Sequence, residues 1–129
     1  MKTKIFKTTD NLSFVIKNTK TFIIFETIEE SNSYKFLFRF NNEVYKELTN
    51  YLHTIAKETW TDFTPKCATS LRTDYCEYYD RKFDNNGYLD IIENGFKIER
   101  PTLDSLKLYQ LNKGKLESLI YDITNKNNS

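Results

Sequence analysis

The sequence predicts an α+β domain: an antiparallel β-meander packed by an amphipathic helix, then a second β-hairpin region and a C-terminal helix. Three observations carry that prediction. Tyr34, Phe36, Phe38 and Phe40 alternate with Lys35, Leu37 and Arg39, the period-two signature of a strand. Val44, Leu48, Tyr51, Leu52 and Ile55 form an apolar stripe at helical spacing behind Asn41, a residue type that caps helices. Leu116, Leu119, Ile120 and Ile123 repeat that spacing near the C-terminus.

The first forty residues read as strands. Ile5 to Lys7 is followed by Asp10-Asn11, a pair that tolerates positive φ and suits a tight turn. Leu12, Phe14 and Ile16 alternate with Ser13, Val15 and Lys17, and Asn18-Thr19-Lys20 turns the chain again. Phe22 to Ile28 is apolar on both faces, which places it in the middle of a sheet. The connections are too short for parallel crossovers, so four strands through Phe40 are expected to pair as one antiparallel meander. The aromatic wall of the fourth should be sealed by the helix from Asn41 to Trp60, with Phe40 and Tyr45 as its hydrophobic staple.

The second half is expected to hold a strand from Tyr75 to Phe83, a turn at Asp84-Asn85-Asn86-Gly87 and a strand from Tyr88 to Ile92. Asn94-Gly95 should then turn the chain into a strand from Phe96 to Glu99, ended by Pro101. Residues 103–111 fit a helix capped by Thr102 or a strand beginning at Leu106 and Leu108. No repeat or linker divides the chain, so one domain is expected over 1–124, with 125–129 as a disordered polar tail.

Composition bounds the function. The chain has 129 residues, of which 39% are hydrophobic, and ten Phe, nine Tyr and one Trp supply a core from few side chains. Charged residues make up 29% yet sum to only +1, which argues against disorder and against a general nucleic-acid binder. No signal-peptide core opens the sequence, and no stretch approaches the ~20 apolar residues that cross a bilayer, so a cytoplasmic protein is expected. Cys67 and Cys76 fit a reducing compartment as two ordinary thiols. The wealth of Asn, Lys, Ile, Tyr and Phe indicates an AT-rich gene, a style common in mobile or phage-borne genes.

Candidate sites are few. The single histidine, His53, lies nearly opposite Leu48 and Ile55 on the helical wheel and is expected to face water, away from any catalytic dyad. Two cysteines nine apart and one histidine do not match zinc spacing. Lys82 to Glu93 resembles an EF-hand loop at Asp84, Asn86, Gly87, Asp90 and Glu93, but places Lys82 where the first ligand belongs. Asp80 and Lys82, with Asp62 upstream, have the Asp-x-Lys form of metal-dependent nucleases. Lys17, Lys35 and Arg39 are expected on the outer sheet face, where basic groups can meet phosphates.

The most unusual local composition is Asp74 to Asp80, with three tyrosines and three acids in seven residues. As a strand it shows Tyr75, Glu77 and Tyr79 on one face. Tyrosine supplies contact area at low entropic cost, and carboxylates speed encounter with a basic partner. Asp74, Tyr75, Glu77, Tyr78, Tyr79 and Asp80 are therefore the expected partner-binding residues. The sequence predicts a small non-enzymatic protein, without cofactor, that neutralises a partner protein such as a basic toxin or nuclease, as immunity proteins, antitoxins and phage inhibitors do. A nucleic-acid-binding accessory protein is the second class, and a nuclease built on Asp62, Asp80 and Lys82 the third.

Overall fold

The computed structural model describes residues 2–67 and 75–127. Its elements are β1 (Thr3–Lys7), β2 (Ser13–Asn18), β3 (Ile23–Glu26), β4 (Lys35–Arg39), α1 (Asn42–Thr59), β5 (Glu77–Asp80), β6 (Asn85–Ile92), β7 (Gly95–Glu99), β8 (Lys107–Leu111) and α2 (Lys113–Asn127). The α+β class, the meander and the C-terminal helix are all present. The strands form two antiparallel sheets, ordered β1-β2-β3-β8 and β4-β7-β6-β5.

β1, β2 and β3 form the meander, with Phe6 opposite Phe14 and Ile16 opposite Phe25. The β1–β2 turn carries Asn11 at φ 67°, a conformation asparagine tolerates well. The expected fourth strand leaves this sheet. β4 pairs with β7, and the place beside β3 is taken by β8, so within residues 103–111 the strand covers Lys107–Leu111 and residues 103–106 are irregular. β3 is central, as its two apolar faces suggested.

The departure of β4 changes what covers its aromatic wall. Phe14 of β2 lies 5.0 Å from Phe38 and 5.7 Å from Phe40, both edge-on, and stacks on Phe96 of β7 at 5.6 Å. Sheet therefore packs on sheet, and the meander covers the Phe38 and Phe40 end of the wall, while Phe36 is half-buried and Tyr34 stays exposed. Helix α1 packs along β1, β2 and α2 instead. Its first turn meets the wall, where Tyr45 stacks on Phe40 at 6.3 Å and tilts against Phe96 at 6.0 Å. The cap is as expected, with the Val44 N–H donating to the Asn41 side-chain oxygen at 2.8 Å. The buried side of the helix is Tyr45, Leu48, Leu52, Ile55 and Ala56, while Val44 and Tyr51 sit half-buried at its margin.

The β6–β7 hairpin turns through Glu93 and Asn94, with Asn94 at φ 53°. Gly95 is already in the strand, and its role is close approach rather than φ. A Cβ there would lie 1.8 Å from the backbone oxygen of Phe38, so only glycine lets β4 and β7 pair at Arg39. The preceding turn falls earlier than expected, at Arg81 to Asp84, with Asp84 at φ 49°. Asn85, Asn86 and Gly87 consequently belong to β6.

One contiguous core runs from Phe6 to Ile123 and takes side chains from both sheets and both helices. In α2 the stripe Leu116, Leu119, Ile120 and Ile123 is buried as its spacing required. The helix continues to Asn127, into the segment expected as a tail. His53 does not face water as expected. It is half-buried, its ring 5.9 Å from that of Phe63, and its Nε2 is buried with no hydrogen-bond partner among the described residues. Cys67 and Cys76 are free thiols. Among the described residues, no helix is long and apolar enough to cross a membrane.

Candidate partner-binding face

The Tyr-acid segment divides between core and surface. Side chains alternate along a strand, so β5 sends Tyr78 and Asp80 inward and Glu77 and Tyr79 outward. Tyr78 packs edge-on against Tyr109 of β8 at 4.7 Å. Burial first, and then the neighbouring Asp80 carboxylate, push its phenol pKa well up. Gly87 across the ladder leaves room for this ring, since a Cβ there would fall 2.4 Å from Tyr78 Cε1. Tyr75 is buried just before the strand. Its hydroxyl donates to Asp122 of α2 at 2.6 Å, and its carbonyl accepts from the Tyr109 hydroxyl.

Asp80 is a structural carboxylate. It is 4% exposed and holds the Lys107 ammonium of β8 at 2.8 Å, while the Lys82 backbone N–H donates to it at 3.0 Å. Burial raises its pKa, but the Lys107 hydrogen bond and charge, with backbone N–H groups of Phe83 and Lys82, outweigh that and leave it lowered. Of the six expected partner-binding residues, Tyr75, Tyr78 and Asp80 are thus core, and Glu77 and Tyr79 are surface. Asp74 lies outside the described residues.

The nuclease reading loses its convergence. Asp80 holds Lys107, Asp62 holds Lys113 at 2.8 Å, and the Lys82 ammonium lies 5.4 Å over the Phe83 ring. Among the described residues, no group of three or more His, Cys, Asp or Glu is placed to hold a metal ion. The EF-hand-like letters from Asn85 to Ile92 lie along an extended strand, and a calcium loop must instead curl around its ion. The expected basic patch also divides. Lys17 pairs with Glu26 at 3.2 Å on the first sheet, whereas Lys35 and Arg39 belong to the second.

What remains is the outer face of the second sheet. Register places Tyr88 opposite Glu77, and Tyr79 opposite Asn86, so the two tyrosines are diagonal neighbours on one face. Tyr79 is 56% exposed and Tyr88 40%. The Tyr79 hydroxyl donates to the Asp84 carboxylate, which orients the ring over the β5–β6 turn. Leu37 of β4, 43% exposed, shares the face two strands away, opposite Lys97. Charges grade across it: Lys35 and Arg39 on β4, Lys97 and Glu99 on β7, Asp90 on β6 and Glu77 on β5. A shallow depression of about 130 Å³ opens between Tyr88, Asp90, Lys97 and Glu99.

Sequence reasoning found Tyr79 and Glu77 but missed Tyr88 and Leu37. The alternation Tyr88, Asp90, Ile92 was a usable signal, because its polar member marks the solvent side. Leu37 carried a signal too, standing between Lys35 and Arg39. No family model matches the sequence, and no curated protein or solved structure matches it.

Proposed function

We propose that the protein is a non-enzymatic binding protein that neutralises a partner protein by docking it on the outer face of the second sheet, centred on Tyr79 and Tyr88. The observation that carries this reading is the pair of exposed tyrosines, diagonal on adjacent strands and flanked by Glu77 and Asp90. Large, stiff rings on a rigid sheet bury area at low entropic cost, and contact hot spots are enriched in tyrosine. The acids on this side suit a partner with basic groups opposite.

The test uses a photo-crosslinking residue at Tyr79 and, as a control, at Ile5 on the other sheet, in the native host. A single crosslinked partner from position 79, absent from position 5, is expected. Tyr79→Ala and Tyr88→Ala in the purified pair should each weaken binding about tenfold or more, with the fold unchanged by circular dichroism. A partner bound equally well by the double variant would remove this face from consideration. Salt-sensitive binding of single-stranded DNA that is lost on replacing Lys35 and Lys97 would replace the protein partner with nucleic acid.

A further inference from the structure

Arg100, the first residue past β7, is 2% exposed. Its guanidinium donates from Nε to the Ser33 carbonyl at 3.0 Å, from Nη1 to the Ser105 carbonyl at 3.1 Å and from Nη2 to the Ser31 carbonyl at 2.7 Å. It also lies over the Phe36 ring, 5.2 Å from the centroid. These bonds use three of its five N–H groups. Among the described residues, no carboxylate lies within ion-pair distance of it. Burying a charge without an opposite one is costly, and three carbonyl dipoles offset only part of that cost.

Arg100 also lines a surface cavity of about 350 Å³ between the β3–β4 and β7–β8 connections. Glu30 and Asp104 also line it, both exposed and, among the described residues, both without an ion pair. Leu103 and Leu106 supply two exposed apolar side chains, and Ser31 and Asn32 complete the polar wall. This lining selects by charge. A plain anion meets two carboxylates, and a plain cation meets the guanidinium. A small molecule with both charges and an apolar tail answers every group present. The volume sits near the lower end of small-molecule sites, which run from about 300 Å³.

We propose that this cavity binds a free α-amino acid with an aliphatic side chain, its carboxylate toward Arg100, its ammonium toward Asp104 and Glu30, and its side chain along Leu103 and Leu106. The site is separate from the tyrosine face and stands or falls without it.

The test follows backbone amide shifts of the labelled full chain as L-leucine is added. Saturable shifts at Ser31, Asn32 and Ser105 are expected, with a dissociation constant below about 1 mM. L-leucinamide lacks the carboxylate and 4-methylpentanoate lacks the ammonium; each should bind at least about tenfold more weakly. Asp104→Asn should weaken leucine and strengthen 4-methylpentanoate, whose repulsion from that carboxylate it relieves. Equal binding of leucine and 4-methylpentanoate would overturn the proposal in favour of a plain anion site. Equal binding of leucinamide would overturn the role of Arg100, and no saturable shift up to about 10 mM would overturn the site itself. The ligand series leaves the protein unaltered, so the three outcomes that overturn the proposal do not depend on a variant folding.

Discussion

Two buried charges in this molecule are treated in opposite ways. Asp80, at the inner end of β5, meets Lys107 at 2.8 Å and a backbone N–H from Lys82. Arg100, past the end of β7, meets three carbonyls and a ring but, among the described residues, no carboxylate. Both are nearly inaccessible to water. The first pair is closed: β5 of one sheet is tied to β8 of the other, and the charge has nothing left to recruit. The second is open, because among the described residues only dipoles balance its charge, and the residue borders a cavity. A paired buried charge is read as structure, and an unpaired one beside a cavity as a place where a ligand can finish the balance.

The comparison predicts a ranking that denaturation can break. Asp80→Ala should cost the most, about 3 kcal/mol, because it strands the mostly buried Lys107 ammonium. Urea unfolding measures this, and a loss under 1 kcal/mol would mean the pair is not structural. Arg100→Met should cost less, about 1–2 kcal/mol, because Ser31 and Ser33 lie on exposed loop and their freed carbonyls return to water. If Arg100→Met proved costlier than Asp80→Ala, Arg100 would be the principal tie between its two loops, and the ranking would reverse.

Smaller still is the double replacement Asp80→Leu with Lys107→Met, expected within about 1 kcal/mol of the parent, since removing both partners leaves no orphan. It should also flatten the acid limb of the stability curve. The folded-state pKa of Asp80 lies below its ordinary 3.8, so its contribution is complete above that value and lost as pH falls through the folded one. His53 gives the smallest effect, in a different window. Burial, then Lys57, lower its pKa below the ordinary 6.5, so stability is full above pH 6.5 and declines as pH falls through the folded value. His53→Phe keeps the contact with Phe63 and should remove that decline. A pH titration of the unfolding midpoint separates the two windows, and an unchanged slope in His53→Phe would assign the mild-acid decline elsewhere.

Much of the local architecture was legible in the sequence. The cap at Asn41, the α2 stripe, Leu48, Leu52 and Ile55 of the α1 stripe and the first three of the four expected meander strands appear where their spacing placed them. The candidate face was half legible. Glu77 and Tyr79 stood out by composition, but Tyr75, Tyr78 and Asp80 were drawn into the core by Asp122, Tyr109 and Lys107. Those partners lie on β8 and α2, and nothing within the seven residues from 74 to 80 announces them.

The division follows the range of the forces. Alternation, helix stripes, caps and turns depend on residues within about four positions of one another, so the sequence alone determines them. Strand partnership and charge pairing depend on what the folded chain brings across. β4 pairs with β7, where Gly95 admits its backbone, and β8 takes the place beside β3. Arg100 finds Ser31 across 69 positions and, among the described residues, no carboxylate. Which charge is closed and which is open was decided only when the two sheets met, because close contact alone settles which group balances a buried charge.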